Sequence, residues 1–242
     1  MSVGEVLLWI ILPYVAITTF VVGHWWRYRT DQFAWTSRST QILDRRVLGW
    51  ASPAFHYGAL AAVGGHLIGL VIPESVTNAI GIPESTYRWI AGIAGGIAAV
   101  AVVAGLAGLL YRRAVSDRVR RSTTWMDMVT YVLLTVLIVM GTWMTFRHTL
   151  LTGDPYNYRH SISEWWRSIF YLNPDVEAAS GALVIYQLHA IVAWAFWALF
   201  PFSRLVHAWS IPLQYLGRPY ILYRRRFGPS GTLAREGRSQ AR

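Results

Sequence analysis

Four histidines lie in two stretches of sequence that are apolar enough to cross a membrane. His56 and His66 are in residues 50–72, and His189 and His207 are in residues 181–209. An ionisable side chain inside a membrane span costs a few kcal/mol and is usually paired with a specific partner. Imidazole nitrogens can ligate a metal, relay protons or form hydrogen bonds. These four side chains are therefore the first candidates for the chemistry of this chain.

The composition predicts that these stretches are membrane spans. Hydrophobic residues make up 54% of the 242 residues and charged residues only 14%, whereas soluble domains contain about 25% charged residues. A span needs roughly 20 apolar residues, so about five spans with short loops fit this length. We predict an all-α integral membrane bundle in residues 1–217 and a basic cytoplasmic tail in residues 218–242. The spans are predicted at about residues 5–26, 50–72, 88–111, 127–147 and 181–209.

The distribution of arginine predicts how the spans are oriented. All 22 basic residues are arginine, and the formal net charge is +10. Loops alternate between arginine-rich and arginine-poor, which places the N-terminus outside and the C-terminus in the cytoplasm. This pattern suits contact with anionic membrane lipid, and no nucleic-acid-binding motif accompanies it. No nucleic-acid partner is expected.

The absence of cysteine limits the possible redox centres. With no Cys in the sequence, the chain cannot form a disulfide, a CxxCH haem attachment, or an iron–sulfur or zinc site held by thiolates. Any redox centre must be held noncovalently by His or Met.

The predicted topology sorts the four histidines into two pairs. Spans two and five run in opposite directions, so His56 lies at the depth of His207, toward the cytoplasm. His66 lies at the depth of His189, toward the outside. Each pair could ligate the iron of one b-type haem from both sides, giving two stacked bis-histidine haems. The alternatives are hydrogen-bonded packing residues, or a proton relay in a haem-free transporter or structural anchor.

The spacing within the two spans is unequal. His189 and His207 would be about 27 Å apart on one face of a continuous helix, but His56 and His66 only about 15 Å apart and about 80° out of phase. A distortion must absorb the difference, and we predict it at Pro201.

Three further features give weaker predictions. Gly92 and Gly96 have the spacing of a close helix contact. Residues 161–172, SISEWWRSIFYL, predict a helix with a Ser161–Glu164 capping box. Its aromatic side chains favour either a helix lying flat at the outer interface or the wall of a lipophilic pocket. His24 is expected in the aromatic belt, and His148 and His160 in solvated loops.

Several separated segments resemble the membrane cytochrome b, or gamma, subunit of respiratory nitrate reductase. They run in order through nearly the whole chain with matching spacing. Seven segments carry the resemblance: LPYVAITTFVVGHWWRY, QILDRR, FHYG, GGHLIG, RVRRSTTWMD, YQLHAIVAW and FPFSRLVHAWSIPLQYL. The span-five motif alone does not exclude the cytochrome b subunit of another quinone-linked oxidoreductase, such as a heterodisulfide-reductase-like complex.

The resemblance implies an electron-transfer subunit in the bacterial cytoplasmic membrane. Quinol, either menaquinol or ubiquinol, would be oxidised near the outer face. Electrons would pass through a distal haem b, matching His66 and His189, and a proximal haem b, matching His56 and His207. They would then reach an iron–sulfur (beta) subunit and a molybdenum catalytic (alpha) subunit on the cytoplasmic side. Nitrate itself would not react in this chain, which has no catalytic residue beyond electron transfer.

The quinol site departs from the family in one respect. Well-known members use a lysine at the start of span three, where this chain has Tyr87 and Arg88. With Gly65 and His66, these residues form the predicted quinol site. Arginine can donate hydrogen bonds to a quinone oxygen but cannot accept a proton.

The proton acceptor would therefore be Glu84, Glu74 or a haem propionate. Three arginines near the cytoplasmic ends of spans three and five are candidates to pair with the propionates of the inner haem. They are Arg112, Arg113 and Arg204.

Overall fold

The computed structural model describes residues 1–43 and 45–209, all of whose regular secondary structure is helical. Five helices are long and apolar enough to cross a membrane, which confirms the predicted number. The predicted tail from residue 218 lies outside the described residues. The five spans are Val3–Thr30, Leu48–Val71, Glu84–Val115, Trp125–Leu150 and Val184–Phe202.

Short helices connect the spans, and two of the spans contain π-helical segments. Residues Leu7–Ile11 of span one and Met144–Leu150 of span four are π-helical. The bundle has a distal end, where His66 and His189 lie, and a proximal end, where His56 and His207 lie. The connecting α-helices are Glu74–Ala79, Asp117–Arg121, Ile162–Phe170 and Val176–Ser180.

Spans two and three pack against each other through glycine. A Cβ on Gly58 would lie 2.6 Å from the backbone nitrogen of Val102, and one on Gly105 would lie 2.3 Å from that of Phe55. Small residues allow helix backbones to approach this closely in a membrane. Gly58 is therefore a packing residue. A Cβ added to Gly64 or Gly65, in contrast, would meet no atom within 4 Å, so these two glycines leave open space.

The predicted close contact at Gly92 and Gly96 is also present. A Cβ on Gly92 would lie 2.7 Å from Cδ2 of Leu150, and one on Gly96 would lie 3.3 Å from Cδ1 of the same leucine. The π-helical end of span four thus packs against both glycines. This contact fixes the distal ends of spans three and four beside each other.

The helix Ile162–Phe170 is part of the protein core at the distal end. Neither a helix lying flat at the outer interface nor the wall of a lipophilic pocket describes it fully. Trp165 is 1% exposed, and its indole nitrogen donates a 2.9 Å hydrogen bond to the carbonyl of Trp9. Ser163 donates to the carbonyl of Gly69. The predicted capping box is wrong, because Ser161 makes no side-chain cap bond and its hydroxyl pairs instead with that of Tyr156.

Span five is broken near Pro201, as the unequal histidine spacing required. Its α-helix ends at Leu199, Phe200–Phe202 is a 3₁₀ turn, and Ser203 is extended with φ −104° and ψ 178°. A second 3₁₀ segment, Arg204–Trp209, carries His207. The break therefore lies where the distortion was predicted, and the α-helical part of the predicted span of about residues 181–209 is Val184–Leu199.

The glycine packing gives a stability prediction. We expect Gly105→Ala to destabilise the protein by about 1–3 kcal/mol, because the new methyl group would overlap the backbone of Phe55. The matched control is Gly95→Ala in the same helix, where the nearest atom to a Cβ is 3.5 Å away. Thermal unfolding in detergent measures both. Equal midpoints for the two variants would contradict the packing account.

Candidate functional site: two histidine pairs and a distal cavity

The distal pair consists of His66 in span two and His189 in span five. Their ring centroids are 6.1 Å apart, and the ring planes differ by 15°. Nδ1 of His66 lies 2.7 Å from the carbonyl oxygen of Ala62, one turn earlier in the helix. A carbonyl only accepts, so Nδ1 of His66 carries the proton and Nε2 keeps a lone pair for another ligand.

The proximal pair consists of His56 and His207, also with ring centroids 6.1 Å apart but with planes crossed at 70°. Nδ1 of His56 lies 2.7 Å from the carbonyl of Ser52, and Nδ1 of His207 lies 2.6 Å from that of Arg204. Both rings are thus held in the tautomer whose Nε2 can bind a metal. The structure brings together the same partners that the topology predicted.

These separations fit a haem iron between the rings of each pair. A metal–imidazole bond is about 2 Å long and a ring nitrogen lies about 1.1 Å from its centroid, so two axial rings have centroids about 6 Å apart. Among the described residues no three His, Cys, Asp or Glu side chains converge to hold a bare ion. A haem needs only two protein ligands, because the porphyrin supplies the other four.

The surroundings of the pairs leave room for a flat group. Span two packs mainly on span three, and span five packs mainly on spans one and four. His56 and His66 are exposed on span two, and a Cβ on Gly64 or Gly65 of the same span would meet no atom of a neighbouring element within 4 Å. The imidazoles of spans two and five therefore face each other across a gap.

A set of polar contacts fixes the broken end of span five and hence His207. Arg27 of span one donates two 2.7 Å hydrogen bonds, to the carbonyls of Pro201 and Ser203. Arg204 forms a 2.8 Å ion pair with Asp127, which is 6% exposed and also caps the start of span four. Removal of the helical bonds at the break is thus compensated by side chains of two other spans.

The three predicted propionate partners have contacts of their own. Arg112 is 4% exposed and donates to the hydroxyl and the carbonyl of Thr40. Arg113 donates to the hydroxyl of Thr123, and Arg204 pairs with Asp127. These contacts hold loops at the proximal end, and propionate pairing stays a prediction.

A cavity of about 310 Å³ lies at the distal end. Tyr87 and Arg88 of the predicted quinol site line it, whereas Gly65 and His66 do not. The cavity nevertheless approaches the distal pair, because a Cβ on Gly69 would meet the hydroxyls of Tyr158 and Tyr87. Gly69 is one helical turn beyond His66. The lining residues are Glu84, Ser85, Tyr87, Arg88, Ala91, Thr149, Pro155, Tyr156, Asn157 and Tyr158.

The sequence reasoning missed the loop that forms one wall of this cavity. Residues 154–160, DPYNYRH, place Tyr156 and Tyr158 on the cavity and bury Arg159 completely beneath it. Tyr186, one turn before His189, packs on Tyr156 with centroids 4.8 Å apart. The high proportion of aromatic and charged residues in this short loop was a sequence signal that could have indicated a binding site.

The remaining three histidines have local roles. His24 packs among aromatic rings, including Phe20 at 4.3 Å and Trp35 at 5.7 Å between centroids. His148 is half-buried at the end of span four, 6.1 Å from Tyr186, so the prediction that it is solvated is wrong. His160 is 60% exposed, as expected, and pairs with Glu74 at 2.8 Å.

The fold and the site define a class: helical membrane proteins of several spans in which imidazoles of different helices face each other. The sequence profile of the nitrate reductase gamma subunit family matches residues 5–226. The chain belongs to this family.

Individual relatives agree with this assignment. The chain is 38% identical over 220 residues to the nitrate reductase gamma chain of Bacillus subtilis, covering 91% of this chain and 98% of that one. It is 34% identical over 224 residues to the respiratory nitrate reductase 1 gamma chain of Escherichia coli, covering 89% and 95%. It is also 46% identical over 223 residues to the nitrate reductase-like protein NarX of Mycobacterium tuberculosis. That match covers 92% of this chain but only 34% of NarX.

The cavity loop gives a pH prediction. The side chain of Asn157 donates to Glu74 at 2.9 Å, and this bond lowers the pKa of Glu74 below its usual value of 4.5. Because this pKa is lowered when the loop is closed, the ionised carboxylate of Glu74 stabilises the closed loop at pH values above 4.5. The stabilisation is lost as the pH falls through the lowered pKa of Glu74 and the carboxylate becomes protonated.

We therefore expect amides of residues 156–161 to lose hydrogen-exchange protection, after correction for intrinsic rates, as the pH falls below 4.5. Glu74→Gln should weaken protection at neutral pH and remove this acid dependence. The control Glu177→Gln changes an exposed carboxylate elsewhere at the same end. An unchanged acid dependence in Glu74→Gln would refute the role of Glu74.

Proposed function

We propose that this chain is the membrane anchor and quinol-oxidising subunit of a respiratory nitrate reductase, with two b-type haems. The observation that carries the proposal is the presence of two facing histidine pairs, each with ring centroids 6.1 Å apart, in a member of the gamma subunit family. His66 and His189 would hold the distal haem, and His56 and His207 the proximal haem. When bound, the haems supply one-electron carriers at two depths in the bilayer.

The chain's own residues orient these carriers. The carbonyls of Ala62, Ser52 and Arg204 fix three of the imidazoles in the metal-binding tautomer. Arg27, Asp127 and Arg204 hold the broken end of span five, so that His207 faces His56. Positioning of both pairs before the cofactor binds would lower the cost of ordering them on binding.

The direction of electron flow follows from the proposed orientation in the bacterial cytoplasmic membrane. With the N-terminus outside, the distal end is outer and the proximal end cytoplasmic. Support comes from arginines at the proximal end, among them Arg112, Arg113, Arg118, Arg120 and Arg121. Electrons would then leave from the proximal pair to an iron–sulfur subunit and a molybdenum catalytic subunit on the cytoplasmic side.

The distal cavity is the proposed quinol site. A volume of about 310 Å³ is at the lower end of small-ligand pockets. Arg88 offers a permanent cation and several N–H donors to a quinol oxygen. The tyrosine wall touches the helix of His66 at Gly69 and that of His189 at Tyr186. Quinol protons would be released outside while electrons move inward, which separates charge across the membrane.

The haem assignment predicts which histidine controls which haem. Two haems per chain are expected in the pyridine haemochrome assay. His66→Ala or His189→Ala should remove the distal haem, and His56→Ala or His207→Ala the proximal haem, as identified by redox titration. Replacement of a loop histidine, His160→Ala, is the control and should leave both.

Two outcomes would contradict this prediction. Loss of the same haem in His56→Ala and His66→Ala would refute the pairing. Purified protein without b-type haem would favour a haem-free transporter or anchor.

The quinol site predicts an effect of Arg88. Loss of a hydrogen bond from a charged group costs about 1.5–3 kcal/mol, so Arg88→Ala should raise the KM for quinol about 10- to 100-fold. Arg147→Ala, an exposed arginine on span four outside the cavity, is the matched control. Steady-state quinol oxidation by the assembled complex measures both. Unchanged quinol affinity in Arg88→Ala would remove Arg88 from the site.

A further inference from the structure

Among the described residues that line the distal cavity, Glu84 is the only carboxylate and Arg88 is the only cation. Glu84 begins span three, and its side chain is 30% exposed. It therefore faces the cavity and retains contact with the solvent at the distal end. A group that removes protons from a bound ligand and passes them to water needs both kinds of access.

Arg159 holds Glu84 from below the cavity. The guanidinium is fully buried, and its Nη1 donates to Oε2 of Glu84 at 2.7 Å. Its Nη2 donates at 3.1 Å to the carbonyl of Ile72 and at 3.1 Å to the hydroxyl of Thr77. It also lies 4.0 Å from the ring centroid of Tyr87. A cation anchored at so many points gives the carboxylate one fixed position.

The pairing leaves half of the carboxylate available. Arg159 occupies Oε2 of Glu84, and within residues 1–43 and 45–209 no hydrogen bond to Oε1 is formed. Besides Arg159, the ionisable groups close enough to influence Glu84 include Glu74, His160 and Tyr158. Oε1 of Glu84 is therefore the oxygen left to accept a proton.

The other ionisable groups of this region are poorer acceptors. Glu74 does not line the cavity, and its carboxylate already accepts from Asn157 while pairing with His160. Burial raises the pKa of Tyr158, so this phenol stays protonated. Arg88 stays charged. Among the described side chains of the lining, Glu84 is thus the one able to take up a proton.

We propose that Glu84 is the proton acceptor for quinol oxidation in the distal cavity, held in position by Arg159. This inference rests on the proposed function. Oxidation of one quinol breaks two O–H bonds and yields quinone, two electrons and two protons. A haem held by His66 and His189 would be the one-electron acceptor, and it would take up the two electrons in succession. The protons go one at a time to Glu84, which passes each to water at the distal end before taking the next.

The test compares Glu84→Gln with Glu84→Asp and with the exposed control Glu177→Gln, each in the assembled complex. Reduction of the haems by a short-chain menaquinol is followed by stopped-flow absorbance from acid to alkaline pH. We expect Glu84→Gln to lower the maximal rate about 100-fold and to flatten its acid limb. Glu84→Asp should recover part of the rate, and Glu177→Gln should match the wild type.

Two further measurements separate proton transfer from structural effects. Haem content should be unchanged in Glu84→Gln, which shows that the variant folds. Its affinity for a non-oxidisable quinol analogue, measured by calorimetry, should stay within about threefold of the wild type, since Arg88 rather than Glu84 supplies the charged donor.

The possible failures point to different parts of the account. If menaquinol does not reduce the wild-type haems, the proposed function itself is wrong. If it does, and Glu84→Gln keeps the wild-type rate and pH profile, Glu84 is not the acceptor. A Glu74→Gln variant that alone loses the acid limb would also overturn the assignment.

Discussion

The structure depends on facing imidazoles placed on two helices that do not pack closely together. Spans two and five have their main contacts with other helices. Between these two spans the histidine rings approach each other in pairs, with centroids 6.1 Å apart. The hydrocarbon core offers no hydrogen-bond partner, so an unpaired imidazole there is costly. Binding to a metal would give each neutral imidazole a partner. The glycine packing of spans two and three and the break in span five both serve this arrangement.

The fold was largely predictable, because each span is a long apolar run and hydrocarbon thickness sets its length. The pairing of His56 with His207 and of His66 with His189 followed from antiparallel topology alone. The distortion at Pro201 also followed, from the difference between helical spacings of 18 and 10 residues. Its form could not be predicted, because the turn at Ser203 depends on carbonyls held by Arg27, a residue 174 positions away from Pro201.

The distal region was the least predictable part. An aromatic helix such as Ile162–Phe170 has one apolar face whether it meets lipid or protein, so its pattern could not show that Trp165 would be buried against Trp9. The same holds for Arg159, which lies in a polar loop of the sequence but is fully buried in the structure. Its partners, Glu84 and Thr77, are 75 and 82 residues distant, and no local signal connects them.

The most direct test of the central claim is electron paramagnetic resonance of the oxidised wild-type protein, with spins counted against protein concentration. Two imidazole ligands give low-spin ferric haem, so two distinct low-spin signals are expected, each integrating to about one spin per chain. A single low-spin signal would show that only one histidine pair binds haem. A high-spin signal of similar intensity would show an iron with one histidine ligand, which contradicts the facing-pair geometry.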